Sequence, residues 1–228
     1  GQKAAWVSNG TIANAAAMFC AVDMGDGVRR DGGMLVPLDV PGVTKGKPLD
    51  KIGQRALNQG ELFFDDVRFP ADYMVIPPEA YAIALEMILT GANGGMGSIF
   101  VGVAQAALDL ALDYARERVQ GGVPIFEHQA VKMRLFEMFR KVQAARALSR
   151  QVTLYNQMNP PPKLKLAVAS MVTSTNTAFE VASSALQIFG GNGLSREYPV
   201  EKLLRDARAS MIEDGCNDVL SLTAAESL

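Results

Sequence analysis

Residues 131–155, VKMRLFEMFRKVQAARALSRQVTLY, carry the pattern that decides the fold class. Apolar side chains recur there at intervals of three and four residues, at Val131, Leu135, Met138, Val142, Ala145, Leu148, Val152 and Tyr155. This spacing places them on one face of an α-helix, and it is sustained over several turns, as in the seam of a helical bundle. We therefore predict a long helix whose apolar face packs against other helices.

The same helical pattern extends over residues 77–228, where the loops are short and the apolar faces are regular. These properties favour antiparallel packing and predict an up-and-down four-helix bundle. Besides the quoted helix, the predicted helices are a short one over residues 79–90, a long one from the glycine cluster at 91–97 to about 119, one from the Pro160-Pro161-Pro162 break to Phe189, and a last one beginning near Gly215.

Residues 1–76 have a different pattern, in which short apolar runs such as Met18–Val22 alternate with turn signals such as Asn9-Gly10. The predicted fold class is therefore α+β, with a partial antiparallel β-barrel or sandwich segment over residues 1–76 followed by the helical bundle domain. Because the chain begins at Gly1, without methionine, and enters a strand almost at once, we expect further sequence upstream.

The composition excludes several classes of function. With 228 residues, of which 49% are hydrophobic and 20% charged, the chain can bury a core as one large or two small domains. Its net charge of −2 provides no basic surface for nucleic acid or an anionic membrane. It also has no unbroken apolar run of about 18 residues. We therefore expect a soluble, cytoplasmic protein with no nucleic-acid or membrane partner.

Cysteine and histidine are too scarce for the common metal sites. Cys20 and Cys216 are the only cysteines, so neither a disulfide framework nor a zinc site is expected. His128 is the only histidine, and a lone histidine at a predicted helix start favours a structural role. Carboxylates are therefore expected to do any acid–base chemistry, without a metal.

Five segments, in this order and spacing, resemble the acyl-CoA dehydrogenase family across essentially the whole chain. They are Gly1-Gln2-Lys3 through Trp6-Val7-Ser8-Asn9-Gly10, then Leu62 to Pro70, Tyr114 to Arg118, Gln187 to Gly193, and Arg205-Asp206-Ala207. The resemblance implies a flavoprotein that binds FAD. It also implies that the family's N-terminal helical domain and the first strands of its β domain are absent from this sequence.

The resemblance changes the interpretation of Trp6 and Ser8. From spacing alone, Trp6 is more simply a core aromatic residue in a strand. In the family, an aromatic side chain at this position lies against the flavin ring, and a hydroxyl two residues later, here Ser8, reaches the polar edge of the ring. Apolar packing with one donor near N5 favours hydride uptake.

Arg118 would, without the family, be interpreted as a partner of the helix dipole. In the family, the matching arginine binds the flavin pyrophosphate of a neighbouring subunit, which suits the geometry of a guanidinium group. The family's next cofactor contacts on this loop are a hydroxyl residue and an aromatic residue, and their positions match Gln120 and Gly121. Part of the family's cofactor-binding site has therefore changed in this sequence.

Gly190 and Gly191 are typical of a helix C-cap, and this interpretation needs no ligand. The resemblance implies that they also let the backbone approach the partner subunit's cofactor, because glycine has no Cβ. It further implies a hydrogen bond from Gln187 to that cofactor. A site shared between chains implies a homodimer or a homotetramer.

The candidate base lies between Arg205 and Cys216. Many family members have a glutamate, a glycine and a threonine here, and an ungapped count from Arg205 puts Asp214 at the glutamate, Gly215 at the glycine and Cys216 at the threonine. We include Cys216 among the cofactor contacts. The resemblance implies Asp214 as the catalytic base, with Glu213 as the alternative, although two acids before a helix are also favoured by its dipole.

Some family members carry the base on the long helix after the glycine cluster, at a position that matches Ala92, and an arginine usually follows, matching Asn93. Neither side chain is charged here. The second base position is therefore empty, which favours the Asp214 region, while loss of the arginine weakens the inference of an ordinary fatty acyl-CoA substrate.

The implied reaction is α,β-dehydrogenation of an acyl-CoA thioester, with electrons passing to an electron-transfer flavoprotein or to oxygen. Three alternatives stay open. Asp214 and Asn93 favour a nitroalkane-oxidase-like flavoenzyme of the same superfamily. The changes at Gln120, Gly121 and Cys216 favour a half-site, non-catalytic subunit that supplies flavin contacts to a different chain. A purely structural helical bundle is disfavoured by the ordered segments.

Overall fold

The computed structural model describes residues 2–228, except for the side chains of Gln2 and Lys3. The contacts divide the chain into two compact units, the first extending to Glu86 and the second from Met87 to Leu228. This division falls within a helix, and the domain boundary predicted between residues 76 and 77 stays a prediction.

The first unit contains two antiparallel three-stranded sheets. One has the strand order β1-β5-β4 and the other β2-β3-β6. Val36, Leu38 and Leu62 are almost fully buried and form its core. The strands are β1 (Gln2–Ser8), β2 (Ala15–Asp23), β3 (Arg29–Pro37), β4 (Val43–Lys45), β5 (Gln59–Phe64) and β6 (Met74–Ile76). The predicted antiparallel β segment is confirmed.

The second unit is helical, and the α+β class is therefore confirmed. A two-stranded hairpin, β7 (Val119–Gln120) and β8 (Val123–Pro124), connects the first two helices. The helices are α1 (Tyr81–Glu117), α2 (Gln129–Met158), α3 (Leu164–Phe189), α4 (Val200–Ser210) and α5 (Asn217–Ala225). The described residues thus contain five helices, and α4 was not among those predicted.

Helix α1 runs through the glycine cluster without a break, so the prediction of two separate helices here was wrong. Interior glycines destabilise a helix by about 1 kcal/mol each relative to alanine. Burial of Phe100, Ala104 and Ala107 from the same helix outweighs this penalty. Gly97 also has a packing role, since a Cβ there would lie 2.7 Å from Ser170 Oγ on α3.

Side-chain contacts give the helix directions. Ser98 on α1 contacts Ser149 on α2. Farther along α1, Gln105 accepts a hydrogen bond from Arg146, which precedes Ser149 on α2, so the two helices are antiparallel. Lys141 on α2 pairs with Glu180 on α3 at 2.6 Å, which gives an antiparallel pair around the loop between these helices. The core between them is rich in small residues: Ala104, Ala107, Ala111, Ala115, Ala178, Ala182 and Ala185.

Among the described residues, one helical stretch, Pro78–Glu117, is long and apolar enough to cross a membrane by length and composition alone. Such a test is also passed by core helices of soluble proteins. Phe100, Ala104 and Ala111 of this stretch lie in the apolar core with residues of α2 and α3. This is the environment of a core helix.

The packing role of Gly97 is tested by a matched pair of substitutions in α1. Gly97→Ala should destabilise the protein, because the new Cβ would collide with Ser170. Gly102→Ala should stabilise it by about 1 kcal/mol, since a Cβ there meets nothing within 4 Å and alanine favours the helix. Thermal unfolding measures both, and equal stabilisation by the two substitutions would contradict the close approach at Gly97.

Candidate active site

Trp6 is held outward by an irregularity in β1. Ala4 pairs with Leu62 and Val7 with Gly60, so the β1 strand has one residue more than β5 in this interval. This is a β-bulge, and bulges turn side chains out of the regular alternation. Trp6 has a φ of 59° and its side chain is 62% exposed, although it is large and apolar. The prediction of a flavin contact stays untested, but Trp6 is not a core residue.

Ser8 lies at the exposed end of β1, and its Oγ is 3.5 Å from Gln59 Nε2. The next residues, Asn9 and Gly10, form a turn, as the sequence indicates. The Gly10 N–H donates to Val7 O at 3.0 Å, and a Cβ on Gly10 would lie 2.9 Å from Val7 Cβ. The turn therefore ends the strand and leaves the Ser8 hydroxyl accessible.

Arg118 follows α1 directly and opens the β7–β8 hairpin. Its N–H donates to Tyr114 O at 2.8 Å, and its own carbonyl accepts from Ile125 N at 2.7 Å. Both backbone groups are thus fixed, whereas the side chain is exposed. Gly121 and Gly122 turn the hairpin with φ values of 65° and 84°, which favour glycine.

His128 braces this hairpin. Its Nε2 lies 3.0 Å from the carbonyl oxygen of Gln120, and a Cβ on Gly121 would lie 3.3 Å from the imidazole ring. The glycine at position 121 therefore makes room for the histidine. The contact gives His128 a structural role, and it ties the Gln120 backbone to the start of α2.

Gly190 and Gly191 follow α3 and have different backbone requirements. Gly190 has a φ of 59°, a conformation that favours glycine. Gly191 has no such φ, and a Cβ on either residue would meet nothing within 4 Å. Both glycines and Gln187, in the last turn of α3, are exposed. Packing within the chain therefore does not explain Gly191, and open space lies over this turn.

Tyr114 connects the Arg118 hairpin to the glycine turn. Its ring stacks on Phe189, with centroids 4.1 Å apart and planes at 18°. Its hydroxyl accepts from Asn192 Nδ2 at 2.9 Å and donates to Phe189 O at 3.4 Å. Tyr198 contacts Phe189 edge-on at 5.3 Å. Two predicted flavin-binding segments, 75 residues apart along the chain, are thus joined by one aromatic cluster.

The Arg205-Asp206-Ala207 segment anchors α4. The Arg205 Nε donates to Glu201 Oε2 at 2.6 Å, and this hydrogen bond holds the pKa of the Glu201 carboxyl below its usual range. Ala207 is fully buried in the helical core. The Glu201–Arg205 contact joins two residues one helical turn apart, and the burial of Ala207 packs the same helix against the core.

The candidate base lies in the turn between α4 and α5. Asp214 has a φ of 53° and is exposed, and Gly215 follows with a φ of 99°. Glu213 is partly buried, and its N–H donates to Ala209 O at 3.2 Å, so its backbone still belongs to the end of the helix. Cys216 is partly exposed and precedes the first residue of α5.

The two residues at the second base position, Ala92 and Asn93, have uncharged side chains. Ala92 is exposed on α1, whereas Asn93 is fully buried. The Asn93 Nδ2 donates to Leu89 O of the same helix at 2.7 Å. Within residues 2–228, no group of three or more histidine, cysteine or acidic side chains is placed to hold a metal ion.

The sequence profile described as "Acyl-CoA dehydrogenase, C-terminal domain" matches residues 82–228. The short-chain specific acyl-CoA dehydrogenase of Bos taurus mitochondria is 34% identical over 225 residues, which cover 98% of this chain and 54% of that protein. The chain belongs to the acyl-CoA dehydrogenase family. It spans little more than half the length of the curated relatives it matches.

Solved structures with the same fold agree with this assignment. Butyryl-CoA dehydrogenase from Megasphaera elsdenii superposes with a TM-score of 0.90 at 30% identity, covering 99% of this chain and 59% of that one. A chain in the structure of the electron transferring flavoprotein of Acidaminococcus fermentans gives 0.90 at 29% identity, with 99% and 59% covered.

The acyl-CoA dehydrogenase fold brings some of the predicted residues together and leaves others on separate elements. Arg118 is linked to Gly190 and Gly191 through Tyr114. Asp214 lies in the same turn as Glu213 and Cys216. Trp6 and Ser8 lie on β1 of the first unit. The contact between Tyr114 and Asn192 was not predicted from the sequence, although both residues lie in segments that carry the resemblance.

The role of Tyr114 is tested by removing its hydroxyl. Tyr114→Phe keeps the ring stack but loses the hydrogen bond from Asn192, which is worth about 1 kcal/mol. We expect faster amide hydrogen exchange at residues 190–194, measured by mass spectrometry. Tyr198→Phe is the matched control, since its ring contact with Phe189 is retained. Unchanged exchange in Tyr114→Phe would show that the hydroxyl does not hold this turn.

Proposed function

We propose that the protein carrying this chain is an FAD-dependent acyl-CoA dehydrogenase that oxidises the α,β-bond of an acyl-CoA thioester. One observation carries the proposal: the residues at the family's flavin positions are exposed, mostly at strand or helix ends, apart from Cys216, which is partly exposed. One of them, Trp6, is a large apolar side chain that folding has not buried. The exposed residues are Trp6, Ser8, Arg118, Gln120, Gln187, Gly190 and Gly191.

These residues fit a flavin dinucleotide in their chemistry. The open Trp6 ring offers a flat apolar surface, and Ser8 offers a hydroxyl donor at the end of the same strand. Arg118 carries a guanidinium group suited to a pyrophosphate, on a fixed backbone. Gly191 leaves open space that packing within the chain does not require. Bound FAD would supply a hydride acceptor.

Asp214 acts in this proposal as the base that removes the α-proton. The thioester carbonyl makes this proton acidic, and the carboxylate would remove it while the bound flavin would supply the acceptor for the β-hydride. Asp214 suits the role better than Glu213 because its side chain is exposed on a turn, whereas the Glu213 backbone is still bonded to the end of α4. Arg118, Gln187 and the glycine turn would hold the cofactor of a neighbouring subunit.

The proposed partners follow from the same arrangement. A flavin site shared between chains requires a homodimer or a homotetramer. Electrons would pass to an electron-transfer flavoprotein or to oxygen, and the cytoplasm is the proposed location. Relatives named for short-chain acyl-CoA and butyryl-CoA support butyryl-CoA as the first substrate to test.

A nitroalkane-oxidase-like activity is the second candidate. It is favoured by an aspartate at the base position and by the absence of a cationic side chain at Asn93, which is buried and bonded to its own helix. Bleaching of the bound flavin by nitroalkanes, with no response to a panel of acyl-CoAs, would select this candidate over the first.

The cofactor prediction concerns the intact protein. We expect it to bind FAD and to be oligomeric, as measured by absorption spectroscopy and native mass spectrometry. Arg118→Gln should weaken FAD binding by about tenfold or more, because a charge-assisted contact worth about 1.5–3 kcal/mol is lost. Arg116→Gln is the matched control, since Arg116 is also exposed but lies over the Phe126 ring.

Two results would contradict the shared-site part of this proposal. The first is tight FAD binding by a protein whose native mass is that of a monomer. The second is equal FAD affinity in the Arg118 and Arg116 variants. An assembly that contains a second, different chain would instead favour the half-site subunit.

The base assignment is tested by a pair of isosteric substitutions. Asp214→Asn keeps size and hydrogen bonding but removes the basic lone pair, and it should slow flavin reduction by acyl-CoA by about two to four orders of magnitude with FAD still bound. Glu213→Gln should have a much smaller effect. Stopped-flow absorbance measures both rates, and the reverse outcome would transfer the role to Glu213.

A further inference from the structure

The turn that carries Asp214 has an unusual backbone. Asp214 and Gly215 are consecutive left-handed residues, with φ values of 53° and 99°. A non-glycine residue in this region persists only where surrounding contacts determine its conformation. Contacts made by the residues around Asp214 can therefore help to hold this conformation.

Asn217 closes this turn with its backbone. It is the first residue of α5, and its N–H donates to Met211 O at 3.1 Å. Residues 211–217 thus form a short loop that starts and ends at one hydrogen bond. The position of Asn217 therefore determines where Asp214 lies.

The Asn217 side chain attaches the loop to the middle of α3. It is almost fully buried, and its Nδ2 donates to Thr175 Oγ1 at 3.0 Å and to Asn176 Oδ1 at 3.2 Å. The Thr175 hydroxyl has one proton, and its nearest acceptor is Met171 O at 2.9 Å, whereas Val172 O and Asn217 Oδ1 lie farther away at 3.3 Å. We therefore assign the proton to Met171 O, so that Thr175 Oγ1 accepts from Asn217 Nδ2. Thr175 is fully buried in a helix that packs against α2, α4 and α5, which makes it a rigid attachment point.

A second contact supports the other side of the turn. A Cβ on Gly215 would lie 3.0 Å from the side chain of Leu220, which is buried with Val168 and Met171 of α3. The turn is therefore held by a polar attachment at Asn217 and by apolar packing at Leu220, and both are made to α3.

We propose that Asn217 and Thr175 form a latch that positions the Asp214 carboxylate for proton removal, an inference that rests on the proposed function. Neither residue touches substrate in this proposal, so both are positioning residues. An aspartate base reaches one methylene less far than a glutamate, and a displacement of about 1 Å can lower a rate by roughly a hundredfold. A short base therefore depends on a fixed backbone.

The decisive variant is Thr175→Val in the intact holoprotein, since valine keeps the shape but cannot accept the Asn217 hydrogen bond. We expect the limiting rate of flavin reduction by butyryl-CoA to fall by about tenfold or more, with little change in the substrate dissociation constant and with FAD retained. Thr175→Ser keeps the hydroxyl and should restore most of the rate.

Ser149→Ala is the matched control for the loss of a buried interhelical hydrogen bond. Ser149 Oγ meets Ser98 Oγ at 3.0 Å between α1 and α2, away from the turn. This variant should lower the melting temperature while leaving the reduction rate unchanged. Asn217→Ala is a second latch variant if Thr175→Val folds poorly.

Coupling to Asp214 separates positioning from general stability. In an Asp214→Asn background, Thr175→Val should cause no further loss of rate, because the base it positions is already absent. Amide hydrogen exchange at residues 211–217 should be faster in Thr175→Val than in Ser149→Ala, and this measurement needs neither flavin nor turnover.

The outcomes distinguish the two proposals. If Asp214→Asn slows reduction but Thr175→Val and Asn217→Ala behave like Ser149→Ala in rate and exchange, the latch is overturned and the proposed function stands. If Asp214→Asn reduces at the full rate, both the base assignment and the latch are overturned. Additive losses in the double variant would likewise overturn the positioning role.

Discussion

The burial of α3 is the constraint on which the rest of the helical unit depends. Its buried residues repeat along the whole helix, and α2, α4 and α5 all pack against it. Many of these residues are small, such as Ala178, Ala182 and Ala185, so the neighbouring helices can approach closely. Thr175 in the middle of α3 and Phe189 at its end are thereby fixed, and each holds one part of the candidate site.

The glycines show how folding and binding requirements can be separated. Gly97 is required by packing, because a Cβ would collide with Ser170, and Gly190 is favoured by its left-handed backbone. Gly191 has neither reason. At Gly191 this open space leaves room for close approach by another molecule, as the proposed cofactor position at the end of α3 requires.

Local pattern predicted the elements whose apolar spacing was long and regular. Helix α2 follows from this spacing, whereas the end of α3 at Phe189 follows from the Gly190-Gly191 pair and the Asn9-Gly10 turn from its residue types. The break at the glycine cluster was wrong because burial of Phe100 and its neighbours outweighs glycine's low helix propensity. Helix α4 was missed although Val200, Leu203, Leu204 and Ala207 have helical spacing, because it is short.

The family, the α+β class, the order of the segments that carry the resemblance and the count from Arg205 to Asp214 all follow from the residues in their order along the chain. The contacts between distant side chains follow only from the folded structure. Tyr114 with Asn192 and Thr175 with Asn217 are 78 and 42 residues apart, and such contacts depend on how helices pack rather than on local pattern. The outward Trp6 was likewise hidden from the sequence, because the bulge that turns it exists only when β1 pairs with β5.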